Sequence, residues 1–215
     1  MKKTLYSLML SDDVVREVDR LAHRMGTNRS SLVNQILAEY VNCETPESRI
    51  NDVFSAIEQL LAPQGVLVPF VVPNAATMSL KSSLEYKYRP TVKYEVQLHR
   101  PTGDSIGTLS VNFRTQSAAL ISAMTEFFRL YKRIEDIYLT PLLPGAPQYA
   151  LYDGRLERSL SSAAAGRTAD ELAQAISGYI SLFDKLLKSY VCGEATSSEV
   201  ESAYVRDLRK RPVLV

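Results

Sequence analysis

The sequence predicts an α+β protein in two parts. Three observations lead there. A short period-two segment at residues 4–10 runs directly into two amphipathic stretches of helical period. Three runs of strand character, bounded by turn residues, follow at residues 79–115. Four further stretches of helical period surround those runs. Strands and helices grouped along the chain, rather than strictly alternating, mark an antiparallel sheet covered by helices.

In the first segment Tyr6, Leu8 and Leu10 share one face, and Leu5, Ser7 and Met9 share the other. The alternation predicts a strand. Ser11 stands where an N-cap is needed, and Asp12 and Asp13 suit the positive end of the helix that follows. Val14, Val15, Val18, Leu21, Ala22 and Met25 form the apolar stripe of that helix, and Gly26 stops it. Asn28 caps a second helix with Leu32, Val33, Ile36, Leu37 and Tyr40 on its apolar face. A lone strand leaves its edge hydrogen bonds unmade, and two short helices enclose little core. Both problems are solved if two chains pair their strands antiparallel and interlock their helices.

The run "MKKTLYSLMLSDDVVREVDRLAHRMGTNRSSLVNQILAEYV" resembles the ribbon-helix-helix (Arc/MetJ-like) DNA-binding family. Alternating strand, Ser-Asp cap, amphipathic helix, "MG", polar capping turn and second helix occur together in the family's order. The resemblance covers residues 1–41. It implies a dimer whose two-stranded ribbon enters the major groove of double-stranded DNA. The outward strand residues Leu5, Ser7 and Met9 would then face base edges. Ser7 can hydrogen-bond there, while Leu5 and Met9 suit thymine methyls. Lys2 and Lys3 would reach phosphates or bases from the arm. The start of the second helix would hold a phosphate, with Asn28, Arg29, Ser30 and Ser31 supplying the turn, a charge and hydroxyls. Read without the resemblance, Asn28 is simply a cap and Arg29 a solvated charge. Arg16, Arg20 and Arg24 share the solvent side of the first helix with Glu17 and Asp19, and read with His23 as ordinary surface.

Residues 42–48, "NCETPES", read as a linker. They divide the chain into 1–42, a dimerisation and DNA-binding domain, and 43–215, an α+β domain for oligomerisation or ligand sensing. A helix over 47–63 buries Ile50, Val53, Phe54, Ile57, Leu60 and Leu61. "QGVLVPFVVPN" carries two prolines and fits an edge strand or buried loop. Strands follow in "SLKSSLEYKYRP", "TVKYEVQLHRP" and "SIGTLSVNFRT", with a hairpin turn at "RPTGDS" and a bulge at Gly107. A long helix with Leu120, Ile121, Met124, Phe127, Phe128, Tyr131, Ile134 and Tyr138 on one face covers the sheet. A loop with a short strand at 149–152 comes next. "SSAAAGRTADE" reads as a mobile turn. Thr168 and Glu171 then cap a helix over 169–191, and a last helix runs over 198–210.

Composition narrows the function classes. The 215 residues carry a formal net charge of +1, so the chain is not a general nucleic-acid coat. Residues 1–41 hold six Lys/Arg against five Asp/Glu, which leaves placement to decide any DNA contact. Cys43 and Cys192 follow no metal or disulfide spacing, and His23 and His99 cannot build a site alone, so neither metal nor cofactor is expected. No apolar run is long enough for a membrane span, and the N-terminus does not read as a signal peptide, which points to the cytoplasm. No phosphate-binding glycine loop, zinc motif or nucleophile elbow occurs, so no catalytic residues are assigned and no enzyme is expected. Lys81, Lys87, Arg89, Lys93 and Arg100, interleaved with Tyr86, Tyr88 and Tyr94, read as a solvated sheet face, with a nucleic-acid face as the sharper alternative. Arg206, Arg209, Lys210 and Arg211 read as a polar tail, with a DNA-steering arm as theirs.

The functional expectation is a dimeric transcriptional regulator, a repressor on palindromic or repeated operator DNA. Two alternatives share the fold: a plasmid or mobile-element accessory protein in partition or DNA transfer, and an antitoxin-like module that uses the dimer to bind a protein partner.

Overall fold

The computed structural model describes residues 4–71, 76–84, 90–102, 104–161, 163 and 166–215. The chain forms two compact units, Met1–Ser48 and Arg49–Val215.

In the small unit the first element is a helix, α1 (Asp12–Arg24), followed by α2 (Arg29–Tyr40). Residues 4–10 form no strand within the single chain. The alternation read there has no neighbour to pair with, and a strand exists only through its ladder. Ser11 occupies the N-cap position with extended backbone, but its hydroxyl makes no capping bond. Gly26 ends α1 as expected, at φ +64, which a side chain would strain. The turn is locked by the Thr27 N–H donating to the Ala22 carbonyl at 2.9 Å. Asn42 plays the same part after α2 with φ +53, and the Cys43 N–H donates to the Ala38 carbonyl at 2.7 Å. Thr45 and Ser48 exchange backbone-to-hydroxyl bonds of 3.1 and 3.0 Å at the start of α3 (Pro46–Leu61).

The large unit is built on a six-stranded antiparallel sheet: β1 (Val68–Val71), β2 (Thr77–Ser83), β3 (Thr91–Thr102), β4 (Ser105–Phe113), β5 (Tyr149–Tyr152) and β6 (Arg155–Ser161), in the order β1-β2-β3-β4-β6-β5. β1 is an edge strand, as Pro69 demands, because proline has no N–H to give a central ladder. β6 was not legible in the sequence. "RLERSLS" carries Arg155, Glu157 and Arg158 in place of apolar residues, yet it lies inside the sheet between β4 and β5. The bulge falls where glycine predicts it, with the β4–β6 register shifting between Ser105 and Gly107. A Cβ on Gly107 would stand 2.3 Å from the Gln97 carbonyl oxygen.

Strand alternation sorts the sheet into two faces. Leu80, Tyr94, Val111 and Leu156 form one row of paired neighbours and are all buried; Lys93, Glu95 and Asn112 point the other way and stay partly solvated. The buried face is covered by α4 (Ala118–Tyr138) and α5 (Ala169–Val191), with α6 (Ser197–Leu208) packed against both. α5 begins at a capping box between Thr168 and Glu171, as read from the sequence, and α6 repeats the device with Thr196 and Glu199. Aromatic rings join helices to sheet. Phe183 lies edge-on to Tyr131 at 4.6 Å, to Phe127 at 5.4 Å and to Tyr94 at 6.1 Å. Such pairs each add about 0.5–1.5 kcal/mol beyond their burial.

An ion pair lies in this core. Arg158 Nε donates to Glu135 Oε2 at 2.9 Å, and both side chains are inaccessible to solvent. The Tyr149 hydroxyl donates to the same oxygen, and the Tyr204 hydroxyl to Oε1 at 3.2 Å. Arg158 gives its other donors to the carbonyls of Ser159, at 3.2 Å, and Val215, at 2.7 Å, and its guanidinium lies 4.5 Å from the Tyr179 ring centre. Burial alone would favour neutral Arg158, but the Glu135 carboxylate together with Tyr179 and Tyr149 outweighs it, and the guanidinium stays charged. Burial pushes the Tyr149 and Tyr204 hydroxyls up, with the carboxylate adding to the shift, so both remain donors. A second buried carboxylate, Asp184, takes hydrogen bonds from Tyr94 at 2.8 Å and Ser82 at 3.0 Å and pairs with Lys188 at 2.7 Å.

Of the four cations read as a polar tail, Arg206, Arg209 and Lys210 are exposed as expected, and Arg211 departs from that reading. Arg211 turns inward over the Tyr179 ring, 5.6 Å away, and pairs with Asp207 at 2.6 Å, while Val213 and Val215 are buried. Arg211 is therefore committed to the core and unavailable as a steering arm.

Replacing Arg158 by Met leaves Glu135 buried without its counter-charge and is expected to cost about 3–5 kcal/mol. The double variant Arg158→Met with Glu135→Leu is expected to lose less than that single variant, because the stranded charge goes too. Urea unfolding of both variants beside the wild type measures the difference.

Candidate nucleic-acid interface

The sequence-derived candidates cluster at two places in the small unit. The first is the segment before α1. Lys2 and Lys3 lie outside the described residues. Leu5 is 97% exposed and Met9 102%, while Leu8 is 52% and Leu10 43% exposed. Tyr6, on the face of Leu8 and Leu10, is 82% exposed, so both faces of the segment meet water and only its end next to α1 is partly shielded. Ser7, on the same face as Leu5 and Met9, is exposed as well.

The second place is the start of α2. Asn28 sits in extended backbone and its side chain accepts the Ser31 N–H at 2.9 Å. Helix geometry leaves the Arg29 and Ser30 amides without acceptors inside the helix, so they remain available to an anion. Ser30 is exposed and brings a hydroxyl to the same spot.

Arg29 is not the isolated solvated charge that its sequence neighbours suggest. Its Nε donates to Asp19 Oδ1 at 2.6 Å and its Nη2 bonds Oδ2, a two-pronged contact from the start of α2 back to α1. The hydrogen bond to Arg29 holds the Asp19 carboxyl below its usual range, and the same bond raises the guanidinium. Asp19 was missed in the sequence as a partner because ten positions separate the two residues. The signal was slight: a short turn keeps the start of the second helix within reach of the first, without saying which residue it meets. An anion that used this guanidinium would have to share it with the Asp19 carboxylate. Arg16 and Arg20 behave as the sequence suggests, paired on the helix surface with Asp13 and Glu17.

Apolar exposure is concentrated in the small unit. Val14, Met25, Ile36, Leu37, Tyr40 and Val41 are exposed, and among the described residues of this unit only Ala22 and Leu32 are buried apolar side chains. The stripe assigned to α2 is therefore largely uncovered in the single chain.

The other candidates scatter. Lys87, Arg89, Tyr86 and Tyr88 lie outside the described residues. Lys93 pairs with Glu95 at 2.8 Å, and Tyr94 points into the core, so basic and aromatic groups do not share a face here. Among the described residues no group of His, Cys, Asp and Glu is arranged to hold a metal, and no helix is long and apolar enough to cross a membrane. No family model, no curated protein and no solved structure matches the chain.

The Arg29–Asp19 contact makes the small unit acid-sensitive. The Asp19 carboxyl is depressed in the folded chain, so its contribution is present above the ordinary value of 3.8 and is lost as pH falls through the lower folded value. An NMR titration is expected to give Asp19 a midpoint below 3.8, restored toward the ordinary value in Arg29→Ala. Equal midpoints in the two proteins would show that the contact does not hold in solution.

Proposed function

We propose that the protein is a dimeric DNA-binding regulator of transcription, acting as a repressor through its N-terminal unit. One observation carries the reading. A seven-residue segment with one face fully solvated precedes two helices joined by the Gly26–Asn28 turn, and the apolar surface of this unit is left without a cover. A second copy supplies the cover. It gives residues 4–10 a strand to pair with, and it turns Leu8 and Leu10 inward while Leu5, Ser7 and Met9 stay out.

In such a dimer the paired segments present Ser7 to base edges and Leu5 and Met9 to thymine methyls. The α2 amides, with Arg29 and Ser30, fix the dimer on flanking phosphates. Two-fold symmetry calls for an operator with repeated or inverted half-sites. The large unit then serves to receive a signal or to join dimers. A role as an accessory factor on a mobile element would use the same contacts. A protein-binding role is favoured by the full exposure of Leu5 and Met9, since an apolar outer face suits a protein surface as well as a groove.

Fragmented genomic DNA captured on the purified protein and sequenced, at two salt concentrations, tests the proposal. Wild type is expected to enrich a symmetric motif. The Arg29→Ala, Ser7→Ala double variant is expected to lose the motif. Wild-type binding is expected to fall steeply as salt rises. Absence of any salt-dependent binding would overturn the DNA reading and leave Leu5 and Met9 as the residues to test against protein partners.

A further inference from the structure

The outer edge of β5 has the features of a strand that takes a partner. The Ser159 N–H donates to the Gln148 carbonyl at 2.9 Å, and the Gln148 N–H donates to Ser159 Oγ at 2.8 Å. Continuing the Tyr149↔Arg158 register places these two residues opposite each other. Groups turned toward a neighbouring strand alternate by residue. Ala150 and Tyr152 therefore also face β6, while Tyr149 and Leu151 turn their N–H and C=O outward. Among the described residues no strand pairs with them. The two edges of the sheet differ: β1 is blunted by Pro69, whereas "YALY" holds no proline. Leu151 is 38% and Tyr152 57% exposed on this unblunted edge.

We propose that β5 pairs antiparallel with β5 of a second copy, about a two-fold axis through Ala150. In that register Tyr149 of each copy lies opposite Leu151 of the other, and each such pair exchanges both backbone hydrogen bonds. The two six-stranded sheets become one. Ala150 of each copy meets its counterpart at the closer kind of cross-strand spacing, about 4.5 Å between Cα atoms, where two methyl groups fit. Leu151 extends the buried row of Leu80, Tyr94, Val111 and Leu156 and gains the neighbouring copy's Tyr149 as cover.

The charges near the edge suit a second copy of this chain. The axis brings the turn end of one hairpin, with Asp153 and Arg155, against the other end of its counterpart, where Gln148 and Ser159 are uncharged. Glu157 lies opposite Ala150 on β6 and is paired with Arg155. The two Glu157 residues are three strand spacings apart, about 14 Å, beyond the screening length at physiological salt. On the helix side Lys132 lies over the Tyr149 ring and is paired with Asp136, so each copy offers one charge of each sign. No like charges are forced together.

This interface uses residues of the large unit alone and does not depend on DNA binding. Cross-linking tests it in the full chain, in a Cys43→Ser, Cys192→Ser background. Ala150→Cys places the thiols of two copies together at the axis and is expected to yield a disulfide-linked dimer on mild oxidation. Tyr152→Cys, which would face Gln148 of the other copy, is expected to yield none. Separately, Leu151→Pro removes an outward N–H without touching the β5–β6 ladder. Added to Ala150→Cys, it is expected to abolish the disulfide-linked dimer. Cross-linking of neither variant, or of both equally, would overturn the proposal, as would a folded Ala150→Cys, Leu151→Pro protein that cross-links as readily as Ala150→Cys alone. Failure of DNA capture leaves these outcomes unaffected, so the two proposals fall separately.

Discussion

The large unit depends on one buried ion pair. Glu135 comes from α4 and Arg158 from β6, and the groups that complete their hydrogen bonds come from β5, α6 and Val215. Tyr179 of α5 closes the guanidinium face. A charge taken out of water is tolerated only when its partners are complete. The sheet edge, the helix layer and the C-terminal residues must therefore all be in place together. The pair acts less as a source of stability than as a condition on the arrangement. An apolar core could slide; this one has donors and acceptors to satisfy at fixed positions.

The same rule accounts for β6. A strand carrying Arg158 on its inward face is a poor candidate by hydrophobic pattern, and it becomes a central strand only because Glu135 waits above it. Its insertion between β4 and β5 moves β5 to the margin of the sheet. The position of the exposed edge is thus a consequence of where a buried charge finds its partner.

The small unit shows the opposite situation. Its turns at Gly26 and Asn42 and the Asn28 cap are formed, while its apolar residues are mostly in water. Local structure in this unit is specified by backbone geometry and capping, and burial is deferred. The Arg29–Asp19 contact joins its two helices through charges at the surface, where screening keeps it weak and open to competition from another anion.

Much of the fold was determined by the sequence alone. The period-two runs of β3 and β4, the bulge at Gly107, the proline-marked edge at β1 and the capping box at Thr168 are local signals, and each is realised. The helical stripes of α4 and α5 were equally readable, because a helix writes its buried face into a few consecutive turns. Tertiary structure decided what depends on residues far apart in the chain. β6, the inward turn of Arg211 and the Arg29–Asp19 contact are set by electrostatic partners, and a charge in a sequence does not announce which distant group will neutralise it. In the candidate interface the Asn28 cap was legible for the first reason, and the commitment of Arg29 was hidden for the second. Residues 4–10 stand between the two cases: their alternation is written in the sequence, but they form no strand in this chain, because a strand exists only through a paired neighbour.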